Sequence, residues 1–199
     1  MDTDDRLAAD LARDLDRAFD ALVIAHQDRL YTIALRMLGD PRDAEEAAQD
    51  ALVRAYRALA TYDTARIREL RMRGWLTTIV LNLCRTRSLR RSTRGAPPAS
   101  LDGEGATGIE ATAPRAGTPP EAAERHAERE RWGARLAELP VAYRAAVVLR
   151  HVDGLSYPEA AAALGRPEGT VKAQVHRGIA LLRTMLEAEG RHELEEMTA

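Results

Sequence analysis

The side chains best suited to recognition chemistry lie on one face of a predicted helix near the end of the chain. They are Glu168, Lys172, Gln174, His176 and Arg177. Side chains of these types read base edges in the DNA major groove, because Gln pairs with adenine, Lys and Arg pair with guanine, and Glu accepts from cytosine. The opposite face carries apolar residues at steps of three and four, from Val171 to Leu186. The polar face of an ordinary core helix would look similar, so this pattern alone leaves both interpretations open.

The residues that lead into this face indicate a helix-turn-helix. Ser156 stands three residues before Glu159, the spacing of a capping box, and predicts the start of a short helix. Gly165 predicts the left-handed turn that ends this helix after Leu164, and Pro167 suits the first turn of a second helix. A short capped helix, a glycine turn and an alanine-rich packing surface together favour DNA binding over a merely solvated face.

A second concentration of polar chemistry is the basic stretch Arg66–Arg94. It holds nine arginines and one acid, whereas residues 1–20 hold seven aspartates and three arginines, so the formal net charge of −2 conceals two opposite poles. The pattern predicts a loop over Thr61–Arg73, with a helical turn at Ile67–Met72, and then a helix over about Gly74–Arg91. Cations in the last turn of a helix interact favourably with the helix dipole. Four arginines in the later turns, after a basic loop, are more than this interaction requires and indicate nucleic-acid binding.

The predicted helix Pro41–Ala60 has small apolar residues on one side and charged residues on the other. Asp40 and Pro41 are suited to its N-cap and first turn, and its alanines allow a neighbouring helix to approach closely. The residues on the polar side are Asp43, Glu46, Gln49, Asp50, Arg54 and Arg57. They fit either a solvent-exposed face or a docking surface for another protein, and their spacing does not decide between the two.

These elements predict an all-α fold of two small helical bundles joined by a flexible linker, with the helix-turn-helix in the second bundle. Residues 92–120 are rich in Gly, Pro, Ala, Ser and Thr and cannot bury enough apolar surface to order themselves. They separate a bundle over 16–91 from a bundle over 121–186, with an acidic extension over 1–15 and an acidic tail over 187–199. A coil of the linker's length spans about 30 Å on average and about 95 Å at most.

Local signals predict three boundaries inside these segments. The helical stripe of the first bundle has a possible break near His26–Gln27. Residues 141–151 read as one helix that closes at Asp153-Gly154. After Gly190 the acidic tail is expected to fray.

The sequence offers no pattern typical of enzymes. It has no glycine-rich phosphate loop and no HExxH motif, its five histidines lie far apart, and Cys84 is its one cysteine. We therefore expect no catalytic residues, no metal site and no cofactor. No apolar run approaches the roughly 20 residues of a membrane span, and the first residues are acidic. The sequence thus predicts a cytoplasmic protein without membrane contact of its own.

Three ordered blocks resemble the sigma factors of bacterial RNA polymerase, in particular the extracytoplasmic-function (ECF) type of the sigma-70 family. The blocks are DPRDAEEAAQDALVRAYRAL, RGWLTTIVLNLCRTRSLRR and LAELPVAYRAAVVLRHVDGLSYPEAAAALGRPEGTVKAQVHRG. The resemblance covers about residues 16–91 and 122–186. It implies that the first bundle is the family's region 2 and the second its region 4, with no region 3 and with the linker threading through polymerase.

The same resemblance implies a role for each group of residues. It assigns docking on the clamp helices of the β′ subunit to Asp43, Glu46, Gln49, Asp50, Leu52, Val53, Arg54 and Arg57. It assigns melting and reading of the −10 element to Tyr62, Asp63, Arg66, Arg68, Arg71, Arg73, Trp75, Thr78, Asn82, Arg85, Arg87, Arg90 and Arg91. It assigns reading of the −35 element to Arg166, Glu168, Thr170, Lys172, Ala173, Gln174, His176 and Arg177, while the surrounding bundle meets the flap of the β subunit.

One departure from the family pattern predicts altered promoter preference. Ala173 and Gln174 stand where the family often has a Ser-Arg pair, and Gln174 would favour an adenine in the −35 element. The alternative function is a stand-alone helix-turn-helix regulator that binds operators as a dimer, which would leave the basic stretch without a role. Whether an anti-sigma factor masks the two bundles stays open at the level of the sequence.

Overall fold

The structure is a computed structural model that describes residues 3–93 and 119–196. These residues form helices and the turns between them, which confirms the predicted all-α class. The chain divides into two compact units, Met1–Ala116 and Gly117–Ala199. The predicted flexible linker lies mostly outside the described residues, because residues 92–93 end one helix and residues 119–120 begin the next.

Within residues 3–93, the first unit contains five helices. They are α1 (Thr3–Arg13), α2 (Leu15–Leu38), α3 (Pro41–Leu59), α4 (Thr64–Glu69) and α5 (Met72–Thr93). Helices α2, α3 and α5 pack against one another, and the alanines of α3 lie buried at their contacts as the sequence predicted. Gly39, with φ 73°, ends α2, and the side chain of Asp40 accepts hydrogen bonds from the first amides of α3. This short turn makes α2 and α3 neighbours.

The residues predicted as an acidic extension belong to the body of the first unit. Helix α1 packs against α2 and α4, and Leu7, Ala8, Leu11 and Ala12 are buried in these contacts. The predicted break near His26–Gln27 is wrong, because the break between α1 and α2 lies at Asp14. The Asp14 side chain caps α2 by accepting a hydrogen bond from the Arg17 amide at 3.1 Å. His26 lies buried within the uninterrupted α2.

The loop predicted over Thr61–Arg73 is shorter than expected. Asp63 accepts a hydrogen bond from the Arg66 amide at 2.7 Å and starts α4, several residues before the predicted helical turn. The chain is extended at Leu70 and turns helical again from Met72, so α5 starts before the predicted Gly74. Ile67 and Met72 are buried and hold this segment against the unit.

Over residues 119–196, the second unit contains four helices and a π-helical turn. They are α6 (Pro119–Glu138), α7 (Val141–Val147), the π turn (Val148–Val152), α8 (Tyr157–Leu164) and α9 (Glu168–Glu196). The sequence predicted a regular helix over residues 141–151, but the end of this helix widens into the π turn, which a 3.6-residue period cannot reveal. The tail also differs from the prediction, because α9 continues past Gly190 to Glu196 and only residues 197–199 lie outside the described range.

The predicted helix-turn-helix is confirmed in its local detail. Ser156 and Glu159 form both hydrogen bonds of the capping box, and Gly165, with φ 62°, ends α8. Buried Val171 and Val175 face the unit's core, so the opposite side of α9 faces outward. Far along α9, Glu189 pairs with Arg135 of α6, and hydrogen bonds with the guanidinium lower the pKa of the Glu189 carboxyl.

Gly178 allows α7 and α9 to pack closely. A Cβ at this position would stand 2.6 Å from Cγ2 of Val147 and 3.4 Å from Cβ of Tyr143. We expect Gly178→Ala to lower the free energy of unfolding of the second unit by about 1–2 kcal/mol, since overpacking exceeds the gain of roughly 1 kcal/mol in helix propensity. Urea unfolding of the full chain measures this. Gly169→Ala, where an added Cβ meets nothing within 4 Å, is the matched control. Equal stability of the two variants would contradict the close packing of α7 and α9 at Gly178.

Cys84 is fully buried in α5. Burial raises the pKa of its thiol to about 12, and the nearby Arg87 charge only partly opposes this rise. Within residues 3–93 and 119–196, no cluster of three or more His, Cys, Asp or Glu side chains could hold a metal ion. No described helix combines the length and apolar character that crossing a membrane requires.

Candidate nucleic-acid interface

An aromatic cluster is formed by Tyr62 from the turn between α3 and α4, Arg66 of α4 and Trp75 of α5. The Arg66 guanidinium carbon lies 3.7 Å from the centre of the Tyr62 ring, and the Tyr62 and Trp75 ring centres are 6.2 Å apart at 57°. Tyr62 and Trp75 are half-buried, whereas Arg66 is exposed. Two ring planes beside a cation can stack an unpaired base and hold its phosphate, so the cluster has the chemistry of a single-strand binding site.

Local contacts fix the position of this cluster. The Asp63 carboxylate, predicted among the −10 contacts, caps α4 and so orients Arg66. Arg29 of α2 donates from Nη2 to Thr77 Oγ1 at 2.5 Å and from Nη1 to the Arg73 carbonyl at 3.3 Å. Thr77 is fully buried, and its hydroxyl donates to the same Arg73 carbonyl at 2.8 Å. Arg29 was not among the predicted site residues, and the sequence carries no local mark of its contact with Thr77.

The remaining residues predicted for the −10 element extend from this cluster along α4 and α5. The structure leaves exposed Arg68, Arg71, Arg73, Asn82 and Arg90, and it half-buries Thr78 and Arg85. Arg91 belongs to α5, but its side chain lies outside the described part of the structure. Exposed cations along one helix and the loop before it form a surface that can follow a phosphate backbone.

The polar side of α3 forms the second predicted surface, which we call the α3 surface. Its exposed members are Glu46, Gln49, Asp50, Val53, Arg54 and Arg57, while Asp43 and Leu52 are half-buried. Gln49 donates to Glu45 at 3.2 Å. The side is neither uniformly charged nor wholly polar, since Val53 and Tyr56 expose 48% and 37% of their area. Apolar side chains exposed among charges are more typical of a docking surface than of a purely solvated face.

Arg87 of α5, which was predicted to contact −10 DNA, contacts the α3 surface. Its Nη1 atom lies 3.1 Å from Glu46 Oε2, and its Nη2 atom lies 2.7 Å from Asp50 Oδ2. Burial alone would lower the pKa of Arg87, but hydrogen bonds with Asp50 and Glu46 outweigh burial and raise it. The two carboxylates stand one helical turn apart, where like charges repel, and Arg87 neutralises part of that repulsion.

The predicted −35 residues line the start of α9 and the turn before it. Those exposed are Thr170, Lys172, Ala173, His176 and Arg177, while Arg166, Glu168 and Gln174 are half-buried. Lys172 Nζ lies 2.7 Å from Glu168 Oε1 and 5.4 Å from the Tyr157 ring centre. Hydrogen bonding with Glu168 raises the pKa of Lys172. Arg150 approaches the same Tyr157 ring at 5.2 Å, so one aromatic side chain meets two cations at the start of α8.

Gln174 differs from the other residues of this face. Its Oε1 atom is buried and has no hydrogen-bond partner among the described residues. A bidentate contact with adenine uses both ends of the amide, so reading adenine would require this side chain to turn outward. The sequence carries no signal for this orientation.

The Glu168–Lys172 pair gives a prediction about salt dependence. Glu168→Gln leaves Lys172 without its carboxylate partner and free to contact a phosphate. We therefore expect duplex affinity to rise by a few-fold, and the slope of log affinity against log salt concentration to steepen by the amount that about one added phosphate contact gives. Binding of −35 duplexes by polymerase carrying each variant, at several salt concentrations, measures both. Glu187→Gln, on an exposed residue of the same helix, removes an equal charge and is the control. An unchanged slope in Glu168→Gln would show that the pair does not restrain Lys172.

Two family matches cover most of the described residues. Residues 22–95 match Sigma-70 region 2, and residues 129–182 match Sigma-70, region 4. The chain is 33% identical over 174 residues to the ECF RNA polymerase sigma factor SigW of Bacillus subtilis, covering 85% of this chain and 89% of that protein. It is 34% identical over 175 residues to the ECF RNA polymerase sigma factor SigE of Mycolicibacterium smegmatis, of whose length the match spans 62%.

A solved structure gives the same relationship. The chain is similar to CnrH in its complex with the cytosolic domain of CnrY, with a TM-score of 0.67 and 29% identity. The similarity covers 94% of this chain and 99% of that one. The matches thus span both helical units, the one with the aromatic cluster and the one with the helix-turn-helix. The chain therefore belongs to the ECF sigma factors of bacterial RNA polymerase, within the sigma-70 family.

Proposed function

We propose that this alternative sigma factor reads the −10 element with the aromatic cluster of its first unit and the −35 element with α9 of its second. The observation that carries the proposal is the stacking of Arg66 on Tyr62 beside Trp75, at the start of a basic helix. A base that leaves the duplex needs an aromatic plane and cations near its phosphate, and this cluster supplies both. The exposed arginines of α4 and α5 would then follow the separated strand.

The second unit would recognise the −35 element while it is still duplex. In a helix-turn-helix, the second helix enters the major groove and its first turns reach base edges. Lys172, His176 and Arg177 are exposed on those turns of α9. Arg166 and Thr170 lie beside the start of the helix, where contacts with phosphates position the protein.

The α3 surface would dock on the clamp helices of the β′ subunit, and the second unit would meet the flap of the β subunit. An exposed surface that mixes carboxylates, arginines and apolar side chains suits a protein partner better than DNA, because carboxylates repel phosphates. We further propose that the chain acts in the cytoplasm, where polymerase and the chromosome are found, without membrane contact, cofactor, metal or enzymatic activity of its own.

A stand-alone regulator is not favoured. The sigma-70 match to region 2 accounts for the first unit, which an independent helix-turn-helix regulator would leave without a role. We also propose that an anti-sigma factor holds the chain inactive, because the related CnrH was solved in complex with the cytosolic domain of CnrY. Such a partner would cover the exposed surfaces on which docking depends.

Transcription by core polymerase tests the main proposal. We expect the purified chain to co-purify with core polymerase in equal amounts and to direct run-off transcripts from a subset of genomic fragments. A free-standing regulator would do neither. Core polymerase alone is the control, and failure to direct any start site, with co-purification also absent, would contradict the proposal.

The half-buried Gln174 gives a specific prediction about −35 preference. If Gln174 turns outward to pair with adenine, Gln174→Ala loses discrimination at one base pair of the −35 element, by about 1–3 kcal/mol. Binding of polymerase carrying the variant to duplexes with single-base changes measures discrimination at each position. Unchanged discrimination everywhere would show that Gln174 only supports the packing of α9.

A further inference from the structure

Arg87 connects the surface assigned to core polymerase with the helix assigned to the −10 element. Its guanidinium donates to Glu46 at 3.1 Å, to Asp50 at 2.7 Å and to the backbone carbonyl of Asp43 at 3.4 Å. Only 23% of the Arg87 side chain is exposed, compared with 68% for Glu46 and 53% for Asp50. The arginine is therefore directed inward onto α3, while the carboxylates that it binds stay open to a partner.

The geometry leaves the two carboxylates able to bind a second cation. A carboxylate accepts several hydrogen bonds, and Arg87 supplies one to each of them. Planar guanidinium groups hold two acceptors in fixed directions, which a single ammonium cannot do. Glu46 and Asp50 are consequently held in one orientation on consecutive turns of α3, although most of their surface is exposed.

Restraint of this kind matters for association. Flexible side chains that become fixed at an interface weaken binding by a few-fold to about tenfold each, because their rotamer freedom is lost. Side chains that are already fixed avoid that loss. The single positive charge of Arg87 also leaves the cluster with a net negative charge, so it still attracts a basic partner surface.

We propose that Arg87 is a positioning residue of the α3 surface, which holds Glu46 and Asp50 oriented for a basic surface on core polymerase and ties that surface to α5. This inference rests on the proposed docking of α3. It assigns Arg87 a role in core binding in place of the phosphate contact implied by its position in the basic stretch. Since α5 also carries Trp75 and Asn82, the same contact links polymerase binding to the helix that would read the −10 strand.

Equilibrium binding of the full chain to core polymerase, without promoter DNA, tests the proposal. We expect Arg87→Ala to weaken binding about tenfold. Arg87→Lys should weaken it less, about threefold, because lysine keeps the charge but cannot hold both carboxylates. Arg6→Ala, at an exposed arginine of α1, removes the same charge and should leave the affinity unchanged.

A double-mutant comparison separates positioning from simple bracing of the helices. In a chain that carries Glu46→Gln and Asp50→Asn, Arg87→Ala should cause little further loss of core affinity, because the residues that it positions no longer act. A residue that braced α5 through contacts other than these two carboxylates would weaken binding equally in both backgrounds. Thermal unfolding of each variant, followed in parallel, identifies any loss that comes from unfolding.

The outcomes distinguish this inference from the docking on which it rests. Arg54 is another exposed residue of the α3 surface, and it is not one of the two carboxylates that Arg87 positions. Its replacement therefore tests the docking of α3 separately from the role of Arg87. If Arg54→Ala and the Glu46→Gln/Asp50→Asn chain bind core polymerase normally, α3 is not the docking surface and both ideas fail. If those variants bind weakly but Arg87→Ala binds normally, the positioning role alone is overturned. Normal core binding with slower promoter opening in Arg87→Ala would mark Arg87 as a DNA contact.

Discussion

Replacing Trp75 with alanine is expected to slow promoter opening about 10- to 100-fold. The Trp75 ring is one side of the aromatic cluster, with Tyr62 6.2 Å away. Stacking of a base on an aromatic side chain contributes about 1–3 kcal/mol, and this contribution exists only once the base has left the duplex. The loss should therefore appear in formation of the open complex and not in binding of the closed duplex. Permanganate reactivity of unpaired thymines over time measures the opening rate.

Three further measurements make this prediction specific. Trp75→Phe keeps an aromatic plane and should recover part of the rate. Trp132→Ala removes the chain's other tryptophan, in the second unit, and should open promoters at the wild-type rate. If Trp75→Ala opens promoters slowly because strand separation costs more energy, a template with a pre-melted −10 region should reduce this defect. Normal opening by Trp75→Ala on duplex promoters would contradict a role for the cluster in melting.

Replacing Leu11 with alanine is expected to lower the free energy of unfolding of the first unit by about 2–5 kcal/mol. Only 1% of Leu11 is exposed, and α1 packs against both α2 and α4. Truncating a buried leucine removes apolar contacts and leaves a cavity, which together give a loss of this size. Urea unfolding in a Trp132→Phe background measures the first unit by itself, because Trp75 is then the single tryptophan of the full chain.

Leu11→Ala should also lower the local stability of α4, which packs against α1. Ile67, the buried residue of that short helix, loses part of the packing that holds it in place. Faster hydrogen exchange at the α4 amides, with unchanged exchange in α8, is the expected signature. Arg6→Ala on the exposed side of α1 is the control. If Leu11→Ala were as stable as Arg6→Ala, α1 would not be part of the core of the first unit.

Elements set by neighbouring residues were predictable from the sequence. The Ser156–Glu159 capping box, the left-handed Gly165 and the Asp40 cap each depend on residues within one helical turn, and the structure shows all three. The alanine positions of α3 were predicted for a similar reason, because helix periodicity alone places them on one side. The capping residue Asp14 was also visible in the sequence, but the continuous leucine spacing on both sides of it concealed the break.

Features that depend on distant residues were missed. The pairs Arg29–Thr77 and Arg87–Asp50 join residues 48 and 37 positions apart, and the sequence carries no local mark of either. Packing of α1 on α4 is hidden in the same way, because the two helices are far apart in the sequence. For the candidate sites, the sequence correctly suggested which helices carry the polar residues. It did not separate arginines that face outward from an arginine that faces another helix.

The buried Cys84 makes the chain convenient for site-specific labelling. With a pKa of about 12, roughly one thiol in ten thousand is ionised at pH 8, and the closed packing around it blocks reagents as well. A cysteine introduced on each helical unit would thus react with maleimide dyes while the native thiol stays intact. Energy transfer between two such dyes would report the distance between the two helical units, in the free chain and after assembly with polymerase.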